Sequence, residues 1–156
     1  MKQLNFKLAS FLILISLALG SCTSTKTALF DQYSYQKTTE IKVETIQLIN
    51  QANTPYSAQK EKIQALLLSI EKLTEYEKNK PNNEITFAMW QVLNDQEKNL
   101  LAGLFKIWEK KGSLSPVFQE EAKKQISDAL DLLIQYEIKK DKESKELLLD
   151  LINLNS

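Results

Sequence analysis

Histidine and arginine are both missing from the 156 residues, and cysteine occurs once, at Cys22. Without histidine there can be no Ser-His-Asp hydrolase triad, and the commonest zinc or iron ligand is gone. Without arginine, no planar guanidinium fork can grip phosphate or carboxylate through two parallel hydrogen bonds, which disfavours strong phosphate recognition. A lone cysteine excludes an intramolecular disulfide, a Cys-x-x-Cys metal knuckle and a second thiol to resolve an oxidised one. Only three glycines are present. No Asn-Gly or Asp-Gly pair and no sustained two-residue alternation marks a β-hairpin.

What is there is the composition of one ordinary globular domain, 43% apolar and 26% charged. All twenty basic residues are lysine, balanced by twenty carboxylates. Taking away residues 1 to 21 removes Lys2 and Lys7 and leaves 18 lysines against 20 carboxylates. That balance gives no reason to expect a nucleic-acid partner.

The first 22 residues are the most informative stretch. Lys2 and Lys7 precede an apolar run from Leu8 to Leu19, broken only by Ser10 and Ser16, and the small residues Gly20 and Ser21 follow. This is the layout of a signal peptide. The run is about a dozen residues, short of the roughly 20 that a helix rising 1.5 Å per residue needs to cross a hydrocarbon core about 30 Å thick. A permanent transmembrane helix is therefore the weaker reading. A secretory signal with a cysteine nearby by chance would leave a free thiol in an oxidising compartment, which proteins usually avoid.

Leu19-Gly20-Ser21-Cys22 resembles the lipobox of bacterial lipoproteins. The resemblance implies cleavage between Ser21 and Cys22, a diacylglyceryl group on the Cys22 sulfur and frequent acylation of its freed amine. Two or more long chains, each contributing about 0.8 kcal/mol per buried methylene, anchor firmly where one holds marginally. Thr23 stands where an aspartate would, in that family, suggest retention on an inner membrane. The expected location is thus the cell envelope, with the outer membrane favoured if the cell has two. The mature part resembles no recognised family.

The expected organisation is a signal peptide over residues 1 to 21, a lipidated cysteine and tether over 22 to 33, and a helical domain over 34 to 156. The polar stretch Thr23 to Leu29 reads as tether. Pro55, Pro81 and Pro116 fall between apolar-periodic segments, where they avoid the roughly 3 kcal/mol cost of an interior proline. They divide the chain into four blocks. The first, about Ser34 to Ala52, places Ile41, Thr45, Leu48, Ile49 and Ala52 on one face. The second is expected to be capped by Thr54 with Pro55 at its first position and to run to about Asn79, with Tyr56, Ile63, Leu66, Leu67, Ile70, Leu73 and Tyr76 forming a clear stripe.

The third block, from near Glu84, should break or kink at Asn94-Asp95-Gln96-Glu97, where Asn94 or Asp95 could cap a new helix and Asn94 with Glu97 resembles a capping box, then end at Lys110, Lys111 and Gly112. Ser115-Pro116 opens the fourth, whose stripe is Phe118, Ala122, Ile126, Ala129, Leu133 and Tyr136. An Glu120 to Lys124 pair should support it. Whether it continues through the charged residues 139 to 146 into Leu147, Leu148, Leu151 and Leu154 is left open. The fold class expected is all-α, a small antiparallel bundle of about four helices.

Candidate sites are few. Glu120, Glu121, Asp128 and Asp131 could be metal ligands, but di-iron bundles use Glu-x-x-His pairs, so solvated helix faces are the better reading. No spacing singles out a carboxylate pair for sugar cleavage. Trp90 and Trp108 could line a groove, although aromatics at helical spacing are more often core. Phe30, Tyr33 and Tyr35 could touch a membrane interface or, more favourably, pack onto the bundle end. Lys139, Lys140, Lys142 and Lys145, interleaved with Glu137, Asp141, Glu143 and Glu146, read as a solvated face rather than a lipid-binding patch. Leu147 and Leu151 belong to an apolar stripe that needs a cover: this domain, a second copy or a partner.

The reading that follows is a non-enzymatic interaction or structural module, joined to a membrane through lipid on Cys22 and open to an envelope protein partner, with no cofactor or metal. The alternatives are a module binding a small apolar ligand or a glycan, and a carboxylate-based cell-wall hydrolase.

Overall fold

The computed structural model describes residues 27 to 155. The signal-peptide stretch and the lipobox, with Cys22, lie outside the described residues.

Among the described residues the chain is helical without strands, in six α-helices and one 3-10 turn. They are α1 (Gln32–Ile49), the 3-10 turn (Tyr56–Ala58), α2 (Lys60–Lys78), α3 (Glu84–Asn94), α4 (Leu101–Lys111), α5 (Pro116–Lys139) and α6 (Lys142–Leu154). The all-α class expected from the sequence holds, with six helices in place of about four. The additional helices arise where the third and fourth blocks each break in two.

Each break has a local cause. α3 ends at Asn94, but the capping box expected there does not form. Asp95 instead accepts a hydrogen bond from the backbone N–H of Glu97 at 2.8 Å, and α4 starts only at Leu101, without a side-chain cap. Gly103 explains how the linker fits against α4: a Cβ at that position would lie 1.8 Å from the carbonyl oxygen of Lys98. The second break is at Lys140, a non-glycine residue in the left-handed region (φ 49°). Its ammonium turns back to Glu137 at 2.7 Å and lies 4.7 Å from the centre of the Tyr136 ring. Those contacts offset the steric cost of the conformation. Asp141 then caps α6 through the N–H of Ser144.

Other boundaries follow local chemistry more directly. Ser115 accepts from the N–H of Phe118 with Pro116 at the first helical position, and Gly112 (φ 79°) ends α4. Thr54 does not cap α2. Its hydroxyl donates back to the carbonyl of Gln51, and the 3-10 turn intervenes before Lys60. α1 starts earlier than Ser34, because Asp31 accepts from the N–H groups of Tyr33 and Ser34.

The apolar stripes meet in one core. Ile41, Leu48, Ile49 and Ala52 face Ile63, Leu66, Ile70 and Leu73, with Ile126, Ala129, Leu130 and Leu133 of α5 closing the other side. Trp90, Leu93, Leu101, Phe105 and Trp108 belong to the same core. α1 and α5 run antiparallel. Near the start of α5 Gln119 donates to the carbonyl of Ile49, while near its end Glu137 accepts from the N–H of Asp31. The bundle therefore has a tether end, where residues 28 to 31 enter, and a distal end around Ile49, Thr54, Trp108 and Gln119.

Candidate functional site

The densest polar arrangement lies at the tether end. Two carboxylates there sit where an apolar stripe calls for its next member: Glu77 continues Ile63, Leu66, Ile70 and Leu73 at 0% exposure, and Glu137 continues Ala129, Leu133 and Tyr136 at 3%. Burying a carboxylate demands partners. Glu137 takes the backbone N–H of Asp31 at 2.7 Å and the Lys140 ammonium at 2.7 Å. Glu77 takes the Asn83 amide at 2.6 Å and lies 3.2 Å from the Lys80 ammonium.

Lys80 joins the parts. Its ammonium donates to the Ser34 hydroxyl at 2.8 Å and stands 3.5 Å from Asp31 and 3.9 Å from Glu137. Asp31 caps α1 and accepts from the Tyr76 hydroxyl at 2.7 Å. The backbone N–H of Ala28 donates to the carbonyl of Asn82 at 2.9 Å, and Asn82 is itself left-handed (φ 57°), a conformation asparagine tolerates. The incoming chain is thus stitched to α2, the α2–α3 turn and α5 before α1 has made its first turn.

The electrostatics follow from these contacts. Burial pushes the Asp31 carboxyl up, but the Tyr76 hydroxyl, the N–H groups of Ser34 and Tyr33 and the Lys80 ammonium together hold it below its usual value. The hydrogen bond to Asp31, helped by burial and neighbouring negative charge, pushes the Tyr76 phenol up to about 12 from an ordinary 10.0. A phenol whose pKa is raised on folding contributes stability that is complete below pH 10 and is lost as pH rises toward 12. Spectrophotometric titration of the five tyrosines is expected to show a late-titrating phenol near 12 that is abolished by Tyr76→Phe. If the variant and parent curves differ only in amplitude, with the high-pH step unchanged, the Asp31–Tyr76 bond is not present in solution.

The sequence read Glu137 as part of a solvated charge run, and the structure corrects this. Lys139 and Lys142 are exposed, but Glu137 is buried and Lys140 nearly so, with 11% of its side chain exposed. Asp131 pairs with Lys42 across the α1–α5 seam. Glu120 pairs with Lys123 and Asp128 with Lys124, in place of the Glu120 to Lys124 pair expected. Among the described residues no three histidine, cysteine, aspartate or glutamate side chains gather in a metal-ligating group.

Trp90 and Trp108 are both fully buried in the core. The Trp108 indole donates to the carbonyl of Thr54 at 3.0 Å. Leu148 is buried, and Leu151 and Ile152 pack on the core, so α6 covers most of its own stripe against α3 and α5. Leu147 remains about half exposed and Leu154 is exposed. A groove of about 840 Å³ that the sequence reading did not anticipate lies between α1 and α2 in the distal half. Gln47, Gln51, Gln59 and Ser69 line its rim and Leu48 and Leu66 its floor. The buried amide oxygen of Gln59 has no hydrogen-bond partner among the described residues.

Among the described residues no helix is long and apolar enough to cross a membrane. In comparison with known proteins, no family model, no curated protein and no solved structure matches this chain.

Proposed function

We propose that this protein is a lipoprotein of the bacterial envelope, cleaved before Cys22 and held on a membrane by lipid on that cysteine, whose helical bundle is a non-enzymatic interaction or structural module. The observation that supports this reading best is the stitching of the incoming chain. Ala28 and Asp31 are bound into the bundle by hydrogen bonds to Asn82 and Glu137, so an anchor at Cys22 would hold a rigid body close to its membrane. Confinement of that kind raises local concentration and lets a modest intrinsic affinity for an envelope partner suffice. The buried ionic groups serve the fold: Glu77, Glu137, Lys80 and Lys140 are each engaged in pairs within the bundle end.

Cys22→Ala is expected to move the protein from the membrane fraction to the soluble fraction and abolish lipid labelling, while the helical circular dichroism stays unchanged. A variant that remains in the membrane fraction overturns the reading.

A second reading has one observation in its favour. The distal groove, lined by the amides of Gln47, Asn50, Gln51 and Gln59 together with Glu44, Lys62 and Ser69, suits a hydroxyl-rich ligand such as a glycan better than an apolar one.

A further inference from the structure

The tether end carries an uncovered ring of apolar and aromatic side chains around its ionic centre. Leu29 is 87% exposed, Phe30 50%, Tyr33 45%, Tyr76 40% and Ile138 54%. Tyr33 packs on Tyr76 with ring centres 4.7 Å apart, and Phe30 lies 6.2 Å from Tyr35, so the aromatics at this end are held in two pairs and do not hang separately in solvent. Ile138 lies at the same end of the bundle, on α5, one residue beyond the Glu137 that holds Asp31. The other exposed apolar side chains, among them Val43, Leu68 and Val117, are scattered over the flanks and the distal end.

Chain length decides what can cover this collar. Five residues, and so six residue-to-residue steps, separate Cys22 from Ala28, whose N–H is fixed to Asn82. Fully extended, they reach about 21 Å at roughly 3.5 Å per residue. The 24 residues of α5 make the bundle about 36 Å long at 1.5 Å per residue. A lipid on Cys22 therefore brings the tether end to the bilayer and leaves the distal end beyond the tether's reach.

We propose that the collar of Leu29, Phe30, Tyr33, Tyr76 and Ile138 is a membrane-contacting surface, seated in the interfacial layer of the bilayer that holds the anchor. This inference rests on the lipoprotein reading and deepens it. Phenol rings with one apolar face and one wet tip are suited to the headgroup layer. The charge pattern says which lipids matter. Lys78, Lys80, Lys139, Lys140 and Lys142 around this end are matched by Asp31, Glu75, Glu77, Glu137 and Asp141. Contact is therefore driven by apolar burial and is indifferent to anionic lipid, where an unmatched lysine patch would be sensitive to it. The bundle stands on its tether end and presents the α1–α2 groove away from the membrane.

Lipidation consumes the sole native thiol, so a cysteine introduced elsewhere can be labelled uniquely in the processed full chain. Nitroxides at Phe30→Cys, Ile138→Cys and Val117→Cys are placed in protein purified from bacterial membranes and reconstituted in phosphatidylcholine vesicles, with and without phosphatidylglycerol. Accessibility to oxygen relative to a water-soluble nickel complex is expected to be several-fold higher at positions 30 and 138 than at 117, and unchanged by phosphatidylglycerol. The two collar positions lie on different elements, so a fold defect at one leaves the other informative. Aqueous values at both, in protein that still floats with the vesicles, overturn the collar and leave the anchor standing. Equal lipid exposure at 117 overturns it as well, because the bundle would then lie flat. Protein that fails to float and has a reactive Cys22 thiol overturns the anchor and the collar together.

Discussion

Replacing Glu137 with alanine is expected to lower the unfolding free energy by about 3 to 5 kcal/mol, the cost of removing one partner from a buried ionic group. The side chain is 3% exposed and engages three donors: the N–H of Asp31, the Lys140 ammonium and, more distantly, Lys80. Its loss leaves the Asp31 N–H unpaired and strips Lys140 of its carboxylate while that lysine is still pressed against Tyr136. Since a domain of this size is stable by about 5 to 15 kcal/mol in total, the variant should unfold at a much lower urea concentration. Asp131→Ala provides the contrast. Asp131 is 45% exposed and pairs with Lys42 on the surface, so its removal should cost about 1 kcal/mol or less. Similar urea midpoints for the two variants would mean that the tether-end network contributes no more than an ordinary surface pair.

Trp108→Ala is expected to cost about 3 to 5 kcal/mol, the usual range for emptying a fully buried aromatic site. Trp108 meets Tyr56 edge-on at 5.9 Å, and its indole N–H satisfies the carbonyl of Thr54, which closes the α1–α2 connection. Phenylalanine substitutions separate the packing contribution from the hydrogen bond. Trp108→Phe loses the bond and leaves the Thr54 carbonyl unpaired, adding about 1 to 3 kcal/mol to the cavity cost. Trp90 is equally buried, but its indole N–H has no partner among the described residues. Trp90→Phe relieves that unmet donor and should be the milder substitution. Chemical denaturation of the two variants side by side decides the matter, and a larger loss for Trp90→Phe would contradict the assigned hydrogen bonds.

How legible these features were in the sequence depends on how local their causes are. Stripes such as Ile63, Leu66, Ile70 and Leu73 repeat every three or four residues, and boundaries such as Ser115-Pro116 and Gly112 rest on chemistry within one turn. Both could be read directly. The break at Lys140 could not, because no glycine marks it. A lysine is held left-handed there by a ring and a carboxylate that only the folded helix end supplies. The Asn94 capping signal misleads because Asp95 ties down the N–H of Glu97 and the linker then passes close against Gly103, contacts that the box pattern does not encode.

The tether-end network was hidden for the same reason. Asp31 and Glu137 are 106 residues apart, and a run of alternating charges looks solvated when read alone. A signal was nonetheless present. Glu77 and Glu137 each occupy the next position of an apolar stripe, where a carboxylate is either an exposed end or a buried partner. Asp31, a capping residue directly after Phe30, marked the start of α1. The distal groove had no such signal, since Gln47 and Gln51 come to line one groove with Gln59 only once α1 and α2 pack.

Lipid on the single sulfur of Cys22 would fix where this molecule sits, and the intact mass of the protein isolated from the membranes of the cells that make it tests this most directly. The account predicts a chain beginning at residue 22, heavier than its amino acids by a diacylglyceryl group and, where the amine is also modified, one further acyl chain. A mass that retains residues 1 to 21, or that matches a chain with an unmodified Cys22 thiol, would contradict it.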